Sequence, residues 1–174
     1  MGQFNLACSY QTGKGVARNE TEAVAWYTKA AQNGHDLAQV NLAKACFEGF
    51  GGIPQSNSDG VKWLQRAAKQ GAIDAQFQLG AMYYQGVSGV TQNLAEAAMY
   101  LRMAASSGSA EDQDRNLLAK INAQVMLADM CRKGEGMAPD PAEAVKWYEL
   151  AGDQGNAGAQ YNAGAVYDGH RCCV

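Results

Sequence analysis

The nine residues Trp26–Gly34, WYTKAAQNG, return three times along the chain: as Trp63–Gly71, WLQRAAKQG, as Tyr100–Gly108, YLRMAASSG, and as Trp147–Gly155, WYELAGDQG. The aromatic residues that open the four copies are spaced by 37, 37 and 47 residues. A second pattern alternates strictly with the first: a small residue, then Gln, then an apolar run of helical period, beginning at Gly2, Ala38, Ala75, Ala123 and Ala159. Self-similarity at a period of about 20 to 50 residues marks stacked repeats, because one such unit cannot bury its apolar side alone. Four units and the first half of a fifth fill one repeat domain over 1–174, with boundaries near 1–36, 37–73, 74–122, 123–157 and 158–174.

Each unit reads as two helices with their own punctuation. The first, helix A, ends at Gly13, Gly49, Gly86, Gly134 and Gly169, since a residue without Cβ closes a helix in the left-handed conformation at little cost. The second, helix B, starts at Asn19, Ser56, Asn93 and Asp140, good N-caps, with Glu22, Asp59, Glu96 and Glu143 three residues on in capping-box spacing. Pro141 stands at the first helical position, where its missing N–H is no loss. Helix B stops at Gly34, Gly71, Gly108 and Gly155. Composition agrees. Of 174 residues 47% are hydrophobic, and Ala outnumbers Ile and Val together by more than two to one, which favours helix and excludes an all-β fold. No run approaches the roughly 20 apolar residues of a bilayer span, and Asn5, Gln11, Lys14, Arg18 and Glu20 in the opening stretch argue against a leader. A net charge of -3 without a basic run speaks against nucleic acid and anionic membrane as partners.

The residues Leu79, Gly80, Tyr83 and Gly86, then Asn93, Glu96, Ala97 and Tyr100, then Ala104, Ala105 and Gly108, resemble the signature of the Sel-one-like repeat family, a branch of the tetratricopeptide-like superfamily. The resemblance covers essentially the whole chain. The period of 36 to 37 residues and the Gly-x-Gly turns at Gly13–Gly15 and Gly134–Gly136 favour this branch over the ordinary tetratricopeptide. Departures at Ala163, Cys46 and Cys131, where the pattern has Leu or Tyr, change packing volume. The resemblance implies an all-α, right-handed α-solenoid of helix-turn-helix repeats that serves as a non-enzymatic protein-interaction scaffold, with helix A lining a concave face. It also supplies two alternatives, a self-assembly module and a weak β-lactam-binding enzyme like the cysteine-rich members.

A projection at 100° per residue sets Val40, Lys44 and Phe47 opposite Ala38, Leu42 and Ala45. The matching positions are Phe4, Phe77, Val125 and Tyr161, with Tyr84 further along, bordered by Lys44, Glu48, Asp129, Arg132 and Lys133. An apolar column with a charged border suits a partner's peptide or helix. The same side chains read equally as inter-repeat core. Between Gly108 and Ala123 the chain carries eleven residues more than its other units; Ser109 and Asp112 stand in capping-box spacing, which predicts a helix A lengthened by about 16 Å. Leu117, Leu118, Ile121 and Val125 form its apolar stripe, either a second partner-binding feature through Leu117 and Ile121 or core folded onto Met99 and Met103.

Chemistry finds little foothold. Gly13-Lys14-Gly15 completes neither a P-loop nor a dinucleotide fingerprint, and HExxH, Gly-x-Ser-x-Gly and Ser-x-x-Lys do not occur. His35 lies in a turn, and His170, Cys172 and Cys173 in the tail make a poor metal site. No cofactor, metal or catalytic residue is expected. Cys8, Cys46 and Cys131 occur singly in the A helices of different repeats, so they read as small buried hydrophobes and free thiols, which fits a cytoplasmic location unless a native leader precedes this sequence. Both ends lack a polar capping helix, which predicts a homodimer through a terminal repeat or a longer chain.

Overall fold

The polar residues that open the B helices do so through their side chains. Asn19 Oδ1 accepts from the Glu22 N–H at 3.2 Å, Ser56 Oγ from Asp59 at 3.3 Å, Asn93 Oδ1 from Glu96 at 3.2 Å and Asp140 Oδ1 from Glu143 at 2.9 Å. The computed structural model describes residues 2–87, 89–107 and 116–171. Among them are nine helices and no strand: α1 Gly2–Thr12, α2 Glu20–Gln32, α3 Asp36–Glu48, α4 Asn57–Lys69, α5 Ile73–Gln85, α6 Leu94–Ser106, α7 Leu117–Lys133, α8 Pro141–Asp153 and α9 Ala157–Arg171. The odd-numbered ones are the A helices and the even-numbered ones the B helices. None is long and apolar enough to cross a membrane.

The capping boxes are only half made. The backbone N–H of each N-cap is already donated to a carbonyl of the A helix before it: Asn19 to Tyr10, Ser56 to Cys46, Asn93 to Tyr83 and Asp140 to Cys131, all at 2.8 to 2.9 Å. The acid three residues on is therefore released from its expected partner. Glu143 uses the freedom to pair with Arg102 of α6 and to accept from Trp147 Nε1 at 3.1 Å.

A second tie uses the Gln that marks the start of every A helix. Gln39, Gln76 and Gln124 are buried. In each repeat the residue closing helix B donates to the Gln Oε1 of its own helix A: Asn33 to Gln3 at 3.0 Å, Gln70 to Gln39 at 3.0 Å, Ser107 to Gln76 at 3.3 Å and Gln154 to Gln124 at 2.8 Å. The Gln amide in turn donates to a last-turn carbonyl of the preceding B helix, as Gln39 does to Ala31 at 3.1 Å, Gln124 to Ala105 at 3.4 Å and Gln160 to Gly152 at 2.9 Å. One side chain thus satisfies a buried helix end and joins two repeats.

The turn glycines make a third tie. Gly136, at φ +75°, packs so closely on the first turn of α6 that a methyl there would overlap the Leu94 carbonyl, and Gly51, at φ +65°, sits the same way on Glu20 and Val24 of α2. Only glycine meets both demands, a positive φ and contact with backbone.

The chain forms two compact units, residues 1–75 with 88–90, and residues 76–87 with 91–174. In the first, Ala23, Ala30, Ala31, Ala38 and Ala45 bring helices close around Leu42 and Tyr27. In the second, Leu79, Leu101, Leu127, Met130 and Tyr148 are fully buried. Each such large side chain contributes about 1.5 to 3 kcal/mol of transfer free energy. Cys46 and Cys131 are buried in the slot that Tyr occupies elsewhere, and burial pushes both thiols up, Cys131 to about 11.

Two expected helix ends are corrected. α7 opens at Leu117 after Asn116, whose φ of -110° and ψ of 8° lie outside the helix. With 17 residues against 13 in α3 and α5, it is longer by about 6 Å instead of the 16 Å expected. The start expected at Ser109 and Asp112 lies outside the described residues, as do Gly108, Cys172 and Cys173. At the other end α9 runs through Gly169 to Arg171. A glycine permits a helix stop without imposing one.

Candidate functional site

In the first unit the site is built around a B-helix tyrosine. Tyr27 is buried in α2, and its hydroxyl donates to Gln11 Oε1 of α1 at 2.6 Å. Cys8 Sγ lies 3.4 Å from the Tyr27 hydroxyl oxygen, and the Asn41 side chain of α3 bonds to that hydroxyl as well. Burial first, and then Cys8, push this phenol well above its ordinary value. It stays neutral and fixes the relative positions of α1, α2 and α3. Beside it opens a cleft of about 160 Å³ with Val24 and Phe50 among its apolar lining and Gln11, Asn41, Lys44 and Glu48 among its polar groups. Lys44 Nζ and Glu48 Oε1 are 3.9 Å apart and both side chains are largely exposed. A pair this loose and wet contributes little to stability, so both charges remain available to a ligand.

The fourth repeat repeats the device with charge. Tyr148 of α8 donates to Asp129 Oδ1 of α7 at 2.5 Å, and Arg132 lies 3.7 Å from the same carboxylate oxygen. Burial, then the Asp129 bond, push the Tyr148 phenol up to about 12. Near it Tyr84 donates to Glu135 Oε2 at 2.9 Å, with Lys133 3.8 Å from the other oxygen. The two middle repeats have Leu64 and Leu101 at the tyrosine position.

Of the side chains projected onto a binding face, Lys44 lines the cleft, Arg132 joins Asp129 and Tyr148, and Tyr84 joins Glu135. Val40, Phe77, Val125 and Leu117 are half-buried, and Tyr161 is 78% exposed on α9. Three of them make packing contacts. Phe4 stacks on His35 with centroids 4.5 Å apart and leans on Tyr27 at 5.8 Å. Phe47 lies over Gly60 of α4, whose missing side chain makes room for the ring. Ile121 is buried at 8% exposure; the exposed residue of its stripe is Leu118, at 72%. A projection fixes the direction of a side chain but not what faces it. Gln11, Tyr27, Asn41 and Tyr148 escaped the sequence reading, although Tyr after Trp in the first and fourth copies, against Leu in the others, was a visible signal. Among the described residues no group of three His, Cys, Asp or Glu could hold a metal ion.

Comparison with known proteins bears on this architecture. The model of the Sel1 repeat matches residues 1–35, 36–71, 73–109 and 121–156. Among solved structures the chain is similar to a protective antigen of uropathogenic Escherichia coli strains displaying an SLR fold, at 33% identity and a TM-score of 0.82, over 94% of this chain and 32% of that one. It is similar to a Sel1 repeat protein from Oxalobacter formigenes at 34% identity and a TM-score of 0.74, over 90% of this chain and 59% of that one. It thus spans about a third and three-fifths of these two proteins. Helicobacter pylori cysteine rich protein B, at 21% identity and a TM-score of 0.54 over 79% of this chain and 90% of that one, shares the fold. No curated protein matches. With four repeats matched along most of its length and an all-α solenoid fold, the chain belongs to the Sel1 repeat family, whose members are typically protein-interaction scaffolds.

Proposed function

We propose that this protein is a non-enzymatic scaffold that holds an extended peptide or a helix of a partner protein, with the cleft between α1, α2 and α3 as a binding position. The observation that carries the reading is the composition of that cleft: an apolar lining with Val24 and Phe50, a tyrosine held rigid by Gln11 and Asn41, and the loose, exposed pair of Lys44 and Glu48 at its edge. Apolar surface with a few fixed polar groups supplies affinity and orientation together, whereas a reaction needs a group whose protonation is tuned to transfer a proton, and burial holds the tyrosine here in its neutral form. The Asp129, Arg132 and Tyr148 constellation supports a second contact of the same kind in the other unit, and exposed Tyr161 and Leu118 add apolar surface there. The free thiols of Cys8, Cys46 and Cys131 support a reducing, cytoplasmic setting.

The test is a pull-down with mass spectrometry from the native host, using the wild-type chain and an Asn41→Ala, Lys44→Glu variant as baits. One or a few proteins captured by the first and lost from the second support the reading. Identical captures from both would sink it.

A further inference from the structure

The B helices of the two units differ on their solvent sides. In α2, Lys29 Nζ sits 4.0 Å over the Trp26 ring, and in α4 the Arg66 guanidinium sits 4.5 Å over Trp63. The cation three residues on shields each indole and keeps the helix surface wet. In the second unit that position is Met103 after Tyr100 and Leu150 after Trp147. Both are open to solvent, Met103 at 39% and Leu150 at 45%, and Met99 one turn before is 46% exposed. The pairing of Arg102 with Glu143 ties α6 to α8 between them. On α8 a shallow depression of about 360 Å³ is lined by Trp147, Leu150, Asp140, Glu143 and Lys146.

Charge sets α8 apart from the other B helices. α8 with its cap carries Asp140, Glu143, Glu149 and Asp153 against Lys146, a balance of -3, whereas α4 with its cap carries Asp59 against Lys62, Arg66 and Lys69, a balance of +2. An apolar strip of flexible methionines and a leucine, with an indole beside it and carboxylates at its rim, matches one kind of ligand. It needs apolar side chains on one face and cations on the flanks.

We infer that the solvent side of α6 and α8 is a docking surface for a basic amphipathic helix of a partner protein, which sets its apolar side chains on Met99, Met103, Leu150 and Trp147 and its Lys or Arg toward Asp140 and Asp153. An anionic membrane meets the same carboxylates and is repelled. The surface is independent of the cleft between α1, α2 and α3.

The probe is a fluorescein-labelled peptide of about 18 residues with Leu at i, i+3, i+4 and i+7 and Lys between, followed by anisotropy against the whole chain. Met103→Gln with Leu150→Gln removes the apolar contacts without changing charge and should weaken binding at least tenfold. Met103→Lys with Leu150→Lys should do the same with an unchanged melting temperature, because Lys29 and Arg66 hold those places in the sister helices. A control peptide with Glu for Lys should bind at least tenfold more weakly. Equal binding to wild type and the Gln variant, equal binding of the two peptides, or loss through Asn41→Ala, Lys44→Glu instead would each overturn the proposal. So would light scattering that shows a dimer abolished by the Gln variant, which would give the surface to a second copy of the chain.

Discussion

Replacing Gln124 with Met tests the tie that joins repeats, because the side chain keeps its length and loses its polarity. Gln124 is 1% exposed and works at both ends of its amide. Its Nε2 donates to the Ala105 carbonyl at 3.4 Å, in the last turn of α6, and its Oε1 accepts from Gln154 Nε2 at 2.8 Å. Gln154 also donates to the Leu150 carbonyl, so its amide keeps a partner after the change. Ala105 is itself buried and its carbonyl lies at the helix end, where water cannot readily replace the lost donor. A buried acceptor left unpaired costs about 1 to 3 kcal/mol, and the long 3.4 Å bond points to the lower half of that range. The apolar gain of Met offsets part of it, so a net loss of about 0.5 to 1.5 kcal/mol is expected, a fall of roughly 1 to 6 °C in melting temperature for a chain of this size. Urea unfolding followed by circular dichroism reads the difference, and Gln160→Met is the internal control. Gln160 makes the shorter bond to Gly152 at 2.9 Å but its own side chain is exposed, so water takes over part of the amide's role and the loss should be smaller than for Gln124→Met. If Gln124→Met is as stable as wild type, or if Gln160→Met costs more, buried satisfaction is not what the repeated Gln supplies.

Three further outcomes follow from the same structure. Gly136→Ala should destabilise by about 2 to 4 kcal/mol, the left-handed penalty plus displacement of the Leu94 carbonyl, whereas Gly15→Ala, at φ +78° with nothing within 4 Å of the added methyl, should lose only about 1 kcal/mol; equal melting temperatures would refute the close approach. Arg102, and then Trp147, hold the Glu143 carboxyl below its ordinary range, so the pair adds stability at neutral pH that is lost as pH falls below about 4. Since Arg102 is 46% exposed the gain is under about 1 kcal/mol, and Glu143→Gln should flatten the acid side of the stability curve; an unchanged acid slope would refute the assignment. Thiol titration without reductant should find all five cysteines in denaturant, and in the native protein Cys8 should react long before buried Cys46 and Cys131; fewer than five, or a fast Cys131, contradicts the free and shielded thiols described.

Where the B helices begin, and where α3 and α7 end, could be read from the chain because those signals act over three or four residues. Asn19, Ser56, Asn93 and Asp140 cap as their chemistry dictates, and Gly49 and Gly134 close α3 and α7 in the left-handed region at φ 69° and 74°. Repetition then identified the architecture, since equal units must meet equal neighbours. What each side chain faces was decided elsewhere in the chain. Phe47 lies over α4 because residue 60 is glycine, Glu143 left its capping box because Asp140 had given its N–H to Cys131, and Ile121 went inside while Leu118, three residues earlier, stayed in water. The repeated Gln was legible as a marker of register, yet its work lies in a carbonyl 8 to 19 residues earlier and an amide about 30 residues later. Helix punctuation is local and survives in sequence. Burial and hydrogen-bond partnership are properties of the surfaces brought together, so only the tertiary structure could assign them.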